Sequence, residues 1–477
     1  MRSRSAIGAL ALVACAFAFL APRCGVHAAV QPTPAPAESA TPLPYPAYGP
    51  PAPGVVERSS VPGIAARVSL SKAVAIAVAR SPVFASERAV YQLARAKYGA
   101  AKSAVLPNVS ITAGSDKTYG PSFFGTQIVN GTFTNDQIRA QLQQLIFDGG
   151  RAIAGIESAK AADLAGYDTL QRQLQTLAFG VASAYYQALQ AEQTVRLDAR
   201  IVAEYEAQER LVRAKIAVGK AAPSDLAQAQ FQTAQARLRL VQAQGAQIAA
   251  ESSFATTLGL DANAGVAPLN DTPLDLDLAT APAPPSYATA LRRALLLRPD
   301  YLAAVANVRA AQENLRYAKL ARVPQIVATA STGRSNELPF SPVLRRTDTL
   351  GATLTIPIFD QGLTNYNVAV AASQMDQAVA SLRSARLSVE SDVRGALANL
   401  VSARAAVDQA RYELHNAQIS FDAARAKYAV GAATLLDLIQ QEVNLSQAQT
   451  DALNTLYAYR LAQQQYRYAV GEMTVGS

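Results

Sequence analysis

The stretch AKIAVGKAAPSDL, residues 214–226, has a near copy 212 residues later in AKYAVGAATLLDL, residues 426–438. In both stretches a Val-Gly pair is followed, six residues after the glycine, by Asp-Leu. Glycine reaches the backbone conformations that close tight turns, and long segments rich in Ala, Gln and Leu flank each copy. The pattern therefore predicts two helical hairpins with tips at 219–225 and 431–437.

The duplication extends beyond the turns. Three further sequence pairs recur at offsets of 217, 217 and 212 residues: Ser81-Pro82 with Arg298-Pro299, Leu106-Pro107 with Val323-Pro324, and Phe147-Asp148 with Phe359-Asp360. Such self-similarity indicates a repeated structural unit. We expect a first repeat over 68–285 and a second over 286–477, each built as short helix, strand, loop, strand, very long helix, turn and helix.

The longest predicted helices follow the two Phe-Asp pairs and end at Val218 and Val430. Apolar residues recur in them at seven-residue spacing, which indicates helix-on-helix packing of the coiled-coil kind. A helix over 151–218 is about 100 Å long at 1.5 Å per residue. The shorter helices on either side of each long one have a summed length close to it, so we expect them to flank it and to meet midway.

The chain begins with a basic and then apolar segment. Arg2 and Arg4 precede an apolar run, and small residues up to Ala28 suit cleavage, so residues 1–28 are predicted to be a secretory signal peptide. Lipidation at Cys15, within a lipoprotein-like processing site, is the alternative. Residues 29–67 are dense in proline and are expected to form an extended tether.

The composition excludes several classes of function. Both cysteines, Cys15 and Cys24, lie in the leader, so the mature chain is expected to have no disulfide or thiol chemistry. The 43 basic residues are interspersed with 35 acidic ones, which argues against nucleic-acid binding. His415 is the only histidine after the leader, and no phosphate loop or metal-spaced cluster is found. The sequence therefore predicts no enzyme and no cofactor.

Four segments alternate apolar and polar residues: about 107–116, 136–147, 324–333 and 349–359. Their length of about ten residues matches the tilted strand that crosses a bilayer, and after the leader no apolar run reaches the length of a membrane helix. An ordinary half-buried sheet would show the same alternation. The long helices and the leader favour a membrane barrel, in which the polar set Gln137, Arg139, Gln141 and Gln143 faces a wet lumen.

Four strands are too few to close a barrel, and an open edge in lipid leaves backbone groups without hydrogen bonds. Several chains must therefore contribute. Two copies would give eight strands around a filled interior. Three copies would give twelve strands with room for a channel.

The two tandem units, the two proline-started strand pairs and the two V-G-(x)5-D-L turns together resemble the TolC-type outer-membrane efflux proteins, from about Val68 to the C-terminus. The resemblance implies a mainly α fold with a membrane β-barrel: a homotrimer with a twelve-stranded barrel in outer-membrane lipid and a long helical tunnel in the periplasm of a Gram-negative-type cell. It also implies a passive, gated duct that docks to a periplasmic adaptor and to an inner-membrane pump of the RND or ABC type.

The same resemblance assigns roles at the hairpin tips. Gly219 and Gly431 would contact the adaptor, Asp437 would form a three-carboxylate ring at the closed mouth, and Asp225 and Tyr428 would belong to hydrogen bonds that hold neighbouring hairpins shut. The sequence offers a plainer role for both acids, because an acidic residue in the first turn of a helix stabilises the helix N-terminus. Two positions depart from the family pattern, which leaves the strength of any lock open: Ala433 replaces an expected arginine, and Gln440 replaces a second ring carboxylate.

Two other functions fit parts of the pattern. A periplasmic coiled-coil adaptor also uses long hairpins, although it would carry one hairpin rather than two. A type I protein secretion duct would share the whole fold, and the sequence does not separate it from export of drugs or metals.

Overall fold

A computed structural model describes residues 66–124, 127–269, 284–338 and 341–473. The predicted signal peptide and Cys15 lie outside these ranges. The described strands are β1 (Ala66–Val68), β2 (Asn108–Phe124), β3 (Gln127–Phe147), β4 (Val266–Pro268), β5 (Gln325–Leu338) and β6 (Ser341–Thr355). The described α-helices are α1 (Leu70–Arg80), α2 (Pro82–Ser103), α3 (Arg151–Ala217), α4 (Pro223–Thr257), α5 (Tyr287–Leu297), α6 (Pro299–Lys319), α7 (Leu363–Ala429) and α8 (Leu435–Val470), and a 3-10 turn covers Leu320–Arg322.

The two long helices each contain 67 residues, and both begin at the same kind of cap. The Asp148 carboxylate accepts hydrogen bonds from the backbone N–H groups of Gly150 at 3.0 Å and Ala152 at 2.6 Å. Asp360 repeats this arrangement at the start of α7. Each carboxylate satisfies N–H groups that have no partner within the helix, which explains why the Phe-Asp pairs mark the helix starts.

The predicted seven-residue spacing corresponds to the buried seams of the long helices. In α7 the buried seam runs through Val389, Val393, Ala396, Leu400 and Val407. α2 and α4 both pack against α3, and α6 and α8 both pack against α7. The prediction that two shorter helices flank each long one is therefore confirmed.

The flanking helices meet at two equivalent junctions, each closed by a glycine. Gly259 follows α4 at φ 75°, and a Cβ added there would lie 2.7 Å from the carbonyl oxygen of Arg80. Gly471 follows α8 at φ 85°, and a Cβ added there would lie 2.9 Å from the carbonyl oxygen of Leu297. Only glycine allows the chain both this conformation and this approach. At the second junction the buried Arg298 forms ion pairs with Asp300 and Asp392.

The main sheet has the strand order β2-β3-β5-β6, with all neighbours antiparallel. The predicted strand length of about ten residues is wrong, because the four strands contain 17, 21, 14 and 15 residues. Segments 117–132 and 335–348, which lie between the two predicted strands of each pair, continue the two hairpins over most of their length. Backbone pairing there extends past the apolar residues into Thr, Ser and Asn positions, so the alternation of polarity ends before the strands do.

Two further boundaries differ from the prediction. β6 ends at Thr355 rather than near 359, because Pro357 has no backbone N–H for a sheet hydrogen bond. The expected tether over 29–67 reaches into β1, which pairs in parallel with β4. There Arg67 forms an ion pair with Glu192 of α3 at 2.8 Å. This contact connects β1 with the long helix α3.

Candidate functional site: the hairpin tips and the polar sheet face

Both hairpin tips are built on the same helix-ending motif. At the first tip Gly219 has φ 72°, and the N–H of Lys220 donates to the carbonyl of Lys215 at 2.8 Å. At the second tip Gly431 has φ 79°, and the N–H of Ala432 donates to the carbonyl of Lys427 at 2.8 Å. This is the Schellman pattern, in which a left-handed glycine lets the chain turn back over the helix end. Open space surrounds both glycines where a side chain would lie.

The two tip aspartates each cap the helix that follows the turn. Asp437 accepts from the backbone N–H of Thr434 at 3.0 Å and from its hydroxyl at 2.7 Å, while the N–H of Asp437 donates back to that hydroxyl. Asp225 accepts from the N–H of Ala222 at 3.2 Å. The hydrogen bonds from Thr434 hold the pKa of the exposed Asp437 carboxyl below its ordinary value. Asp437 is therefore a solvent-facing carboxylate that stays ionised at neutral pH.

Tyr428 lies where the two tips meet within one chain. Its ring is buried, and the Nζ atom of Lys215 stands 3.4 Å from the ring centroid and donates to the Tyr428 carbonyl at 3.0 Å. Burial, and then the negative charge of Asp225, raises the pKa of the Tyr428 hydroxyl. Leu226, the neighbour of Asp225 in the chain, packs against the same buried cluster as Tyr428, so the two hairpins meet here. The buried side chains of the shared tip cluster are Val212, Ala229, Ala424, Tyr428, Leu435, Leu438 and Ile439.

A buried carboxyl group, which the sequence analysis missed, lies next to the tip cluster. Glu442 of α8 is only 3% exposed. Burial, and then the charge of Glu204 on α3, raises its pKa to about 7, against the opposing effect of Arg425 on α7. The signal was present in the sequence, because Glu442 follows Leu435 and Leu438 on the buried face of α8 at helical spacing.

The polar set predicted to face a lumen does lie on one face of the sheet. By register, Gln137, Arg139, Gln141 and Gln143 stand opposite Gly114, Thr112, Ser110 and Asn108 on β2, and opposite Ser335, Gly333, Ser331 and Thr329 on β5. The other face of β3 carries Ile138, Ala140 and Leu142. Small and polar residues therefore form rows across the strands, and apolar residues form rows on the reverse side.

Each hairpin also contains a hydroxyl–carboxylate pair that no sequence pattern signalled. The Ser115 hydroxyl donates to Asp136 at 2.7 Å, and the Thr332 hydroxyl donates to Asp348 at 2.6 Å. Both pairs lie directly across their hairpin. Because β2 matches β5 at an offset of 217 and β3 matches β6 at an offset of 212, the two pairs are at equivalent positions.

No group of three or more His, Cys, Asp or Glu side chains in the described ranges could hold a metal ion. A helix long and apolar enough to span a membrane was also not found in these ranges.

Comparison with known proteins identifies the family. A family model described as outer membrane efflux protein matches residues 73–260 and 290–472, and the chain belongs to this family. Outer membrane efflux protein BepC of Brucella suis is 26% identical over 333 residues, covering 68% of this chain and 71% of BepC. Outer membrane protein TolC of Escherichia coli is 25% identical over 393 residues, covering 79% and 77%.

The fold agrees with this assignment. A membrane protein crystal structure from Pseudomonas aeruginosa matches with a TM-score of 0.73 at 22% identity, covering 85% of this chain and 91% of that one. The predicted family, the efflux function and the outer-membrane location are confirmed.

Proposed function

We propose that three copies of this chain form a passive, gated duct that carries substrates through the outer membrane from a periplasmic adaptor and an inner-membrane RND- or ABC-type pump. In this assembly the three four-stranded sheets make a twelve-stranded barrel, and the long helices make a tunnel below it. The two tandem repeats supply six hairpins in all. Membership of the outer membrane efflux protein family favours this duct over a periplasmic adaptor.

The observation that carries the proposal is the open sheet. In the described residues β2 and β6 each have one edge without a paired strand. One face of the sheet carries exposed apolar side chains, among them Ile111, Ile138 and Leu350. In lipid an unpaired strand edge is not tolerated. Three copies close the sheet and keep room for a channel lined by Gln137, Arg139, Gln141 and Gln143.

The helices give a second reason to expect neighbouring copies. On α4, Phe231, Leu238, Val241 and Ile248 are each more than half exposed and recur at spacings of seven, three and seven residues. A stripe with this spacing is the seam of a coiled coil. A helix from the next copy, packed along α4, would cover it.

At the periplasmic mouth we assign three roles. Gly219 and Gly431 shape the tips, which dock the adaptor. Asp437, exposed and ionised, contributes one carboxylate of a three-membered ring that attracts cations, while Asp225 and Tyr428 join the two hairpins of one chain. The carboxylate ring depends on the trimer, which places three copies of each tip around one axis.

Single-channel recording in planar bilayers tests both the duct and the gate. We expect wild-type protein to form channels that Mg²⁺ added from the tip side blocks, and we expect Asp437→Asn to weaken this block by about tenfold or more, because three charges are removed from one ring. Asn can still accept the hydrogen bond from Thr434, so the cap is kept. Asp422→Asn, which removes an exposed charge elsewhere on the same hairpin, is the matched control and should block as wild type does.

Each outcome has a separate meaning. A protein that forms no channel would refute the duct. If Mg²⁺ blocks Asp437→Asn channels as strongly as wild-type channels, the carboxylate ring is refuted and the duct is not.

A further inference from the structure

The internal repeat specifies how the open edges of neighbouring sheets pair, an inference that rests on the trimer proposed above. We propose that β6 of one copy pairs antiparallel with β2 of the next copy in a single register. In this register Leu354 lies opposite Ala113 of the neighbouring copy, and Asp348 lies opposite its Tyr119. The partner that fits these edges is thus a second copy of this chain at a defined offset.

The first step is that the two hairpins of the chain are equivalent residue by residue. Pro107-Asn108 corresponds to Pro324-Gln325 at an offset of 217, and Phe147-Asp148 corresponds to Phe359-Asp360 at an offset of 212. The observed pairing obeys both offsets. Ser110 lies opposite Gln141 in the first hairpin, and their equivalents Val327 and Thr353 lie opposite each other in the second.

Side chains support the same equivalence independently of the backbone. The Ser115–Asp136 and Thr332–Asp348 hydrogen bonds fall at matching places, at 2.7 Å and 2.6 Å. The two hairpins therefore match in these hydroxyl–carboxylate side-chain pairs as well as in their backbone pairing. The correspondence extends beyond the proline and phenylalanine landmarks that first revealed it, up to Ser335 and Arg345, after which the β5–β6 pairing shifts register.

The second step uses the seam that one chain already contains. β3 of the first hairpin pairs with β5 of the second, with Leu142 opposite Ala330 and Asp136 opposite Asn336. In a closed ring of six equivalent hairpins every seam is alike, so β6 meets the next β2 as β3 meets β5. An offset of +212 takes Leu142 of β3 to Leu354 of β6, and an offset of −217 takes Ala330 of β5 to Ala113 of β2. The same two offsets take Asp136 to Asp348 and Asn336 to Tyr119.

The chemistry at the resulting seam is consistent on both faces. Leu354 and Ala113 are apolar and lie on the apolar face, whereas the adjacent pair, Thr353 and Gly114, lies on the polar face. A slip of one residue would place each side chain against the wrong face. A slip of two residues keeps the faces, so the choice between such registers depends on the repeat itself.

Tyr119 gains a partner in this register. Its side chain is 85% exposed in the single chain. Asp348 already accepts from Thr332 at 2.6 Å and pairs with Arg346 at 2.9 Å, and a carboxylate has further lone pairs to accept from a tyrosine hydroxyl. Tyr119 of one copy and Asp348 of the next therefore form a polar contact at the outer end of the apolar band.

Disulfide cross-linking of the full-length protein in outer membranes tests the register. The chain has two cysteines of its own, Cys15 and Cys24, so single-cysteine variants control for links through them. The test variant combines Leu354→Cys with Ala113→Cys, and a second combines Thr353→Cys with Gly114→Cys. Both types of cross-strand pair are then sampled, because neighbouring pairs alternate between hydrogen-bonded and non-hydrogen-bonded geometry. Copper–phenanthroline and oxygen supply the oxidant.

The comparison variants place the second cysteine elsewhere on the same face of β2. Val109→Cys with Leu354→Cys lies four residues out of register, or about 14 Å along the strand, which is beyond the Cα separation of a disulfide. Ile111→Cys and Ser115→Cys, each with Leu354→Cys, report slips of two residues. We expect the Leu354–Ala113 variant to form covalent dimers and trimers at least tenfold faster than any of these.

The outcomes separate this register from the trimer. If the Ile111, Ser115 or Val109 variant forms the disulfide faster than the Leu354–Ala113 variant, the register is wrong but the trimer is not. Trimers in detergent with no link in any variant would also overturn it. A protein that stays a single chain in detergent would remove the proposed function itself.

Discussion

Replacing the buried acid Glu442 with glutamine should remove a pH dependence from the packing of the two hairpins. Glu442 is buried on α8, and burial, and then the charge of Glu204 on α3, raises its pKa from 4.5 to about 7, against the opposing effect of Arg425 on α7. The folded state therefore binds this proton more tightly than the opened state does. Stability is complete below pH 4.5, falls as the pH rises towards 7, and is constant above that value.

The size of the effect follows from the shift. A pKa change from 4.5 to about 7 corresponds to about 3 kcal/mol at 1.36 kcal/mol per pH unit. In wild type, the protection of α8 amides near Glu442 against hydrogen exchange should fall about a hundredfold between pH 4.5 and pH 8, after correction for the intrinsic exchange rate. In Glu442→Gln the side chain is neutral at every pH, so protection should stay high and flat.

Hydrogen exchange read by mass spectrometry on peptides around 435–450 measures this directly. Glu413→Gln, which removes an exposed acid on α7, is the matched control and should keep the wild-type pH profile. If Glu442→Gln shows the same fall in protection as wild type, the ionisation of Glu442 is not what loosens this packing.

Two other substitutions test the turns and the junctions. Gly431→Ala should destabilise the second tip by about 1–2 kcal/mol, because alanine is strained at the positive φ of this turn. Its control, Gly180→Ala inside α3, should stabilise the helix by about 0.5–1 kcal/mol. Limited proteolysis compares the two variants, and equal effects of the two substitutions would argue against the turn. Arg298→Met should lower the free energy of unfolding by about 3 kcal/mol. This value is near the lower end for a broken buried ion pair, because Asp300 and Asp392 are partly exposed and can regain water. An unchanged midpoint of thermal unfolding in detergent would show that the ion pairs contribute little.

Features with strong local chemistry could be predicted from the sequence. The Val-Gly turns, the Phe-Asp helix starts and the seven-residue apolar spacing each depend on residues close together in the chain. The long helices consequently end within one residue of the predicted positions. The duplicated order of these features was enough to indicate the family.

Features that depend on distant contacts could not be predicted in the same way. The outer halves of the strands carry polar residues on both faces, so the pairing of Lys117 with Thr134 has no signature in either segment. Gly259 and Gly471 are required by the approach of a distant helix start rather than by their neighbours in the chain. Helical spacing places Glu442 on the buried face of α8, but the charges that act on it, those of Glu204 and Arg425, come from two other helices and have no signature near it in the chain.

The structure supports the proposed roles of the tip residues to different degrees. Asp437 has both the exposure that a ring carboxylate needs and a complete helix-capping role. Its place around a pore axis remains a proposal. Burial, and then the charge of Asp225 on the other hairpin of the same chain, raises the pKa of Tyr428, which supports our proposal that the two residues help to join the hairpins of a single copy.

The mass of the particle extracted from outer membranes tests the central claim most directly. Native mass spectrometry of the full-length protein in detergent should give a particle of three chains, because one four-stranded sheet leaves two edges that only further copies can close. A particle containing one chain, stable in water once the detergent is removed, would contradict the account.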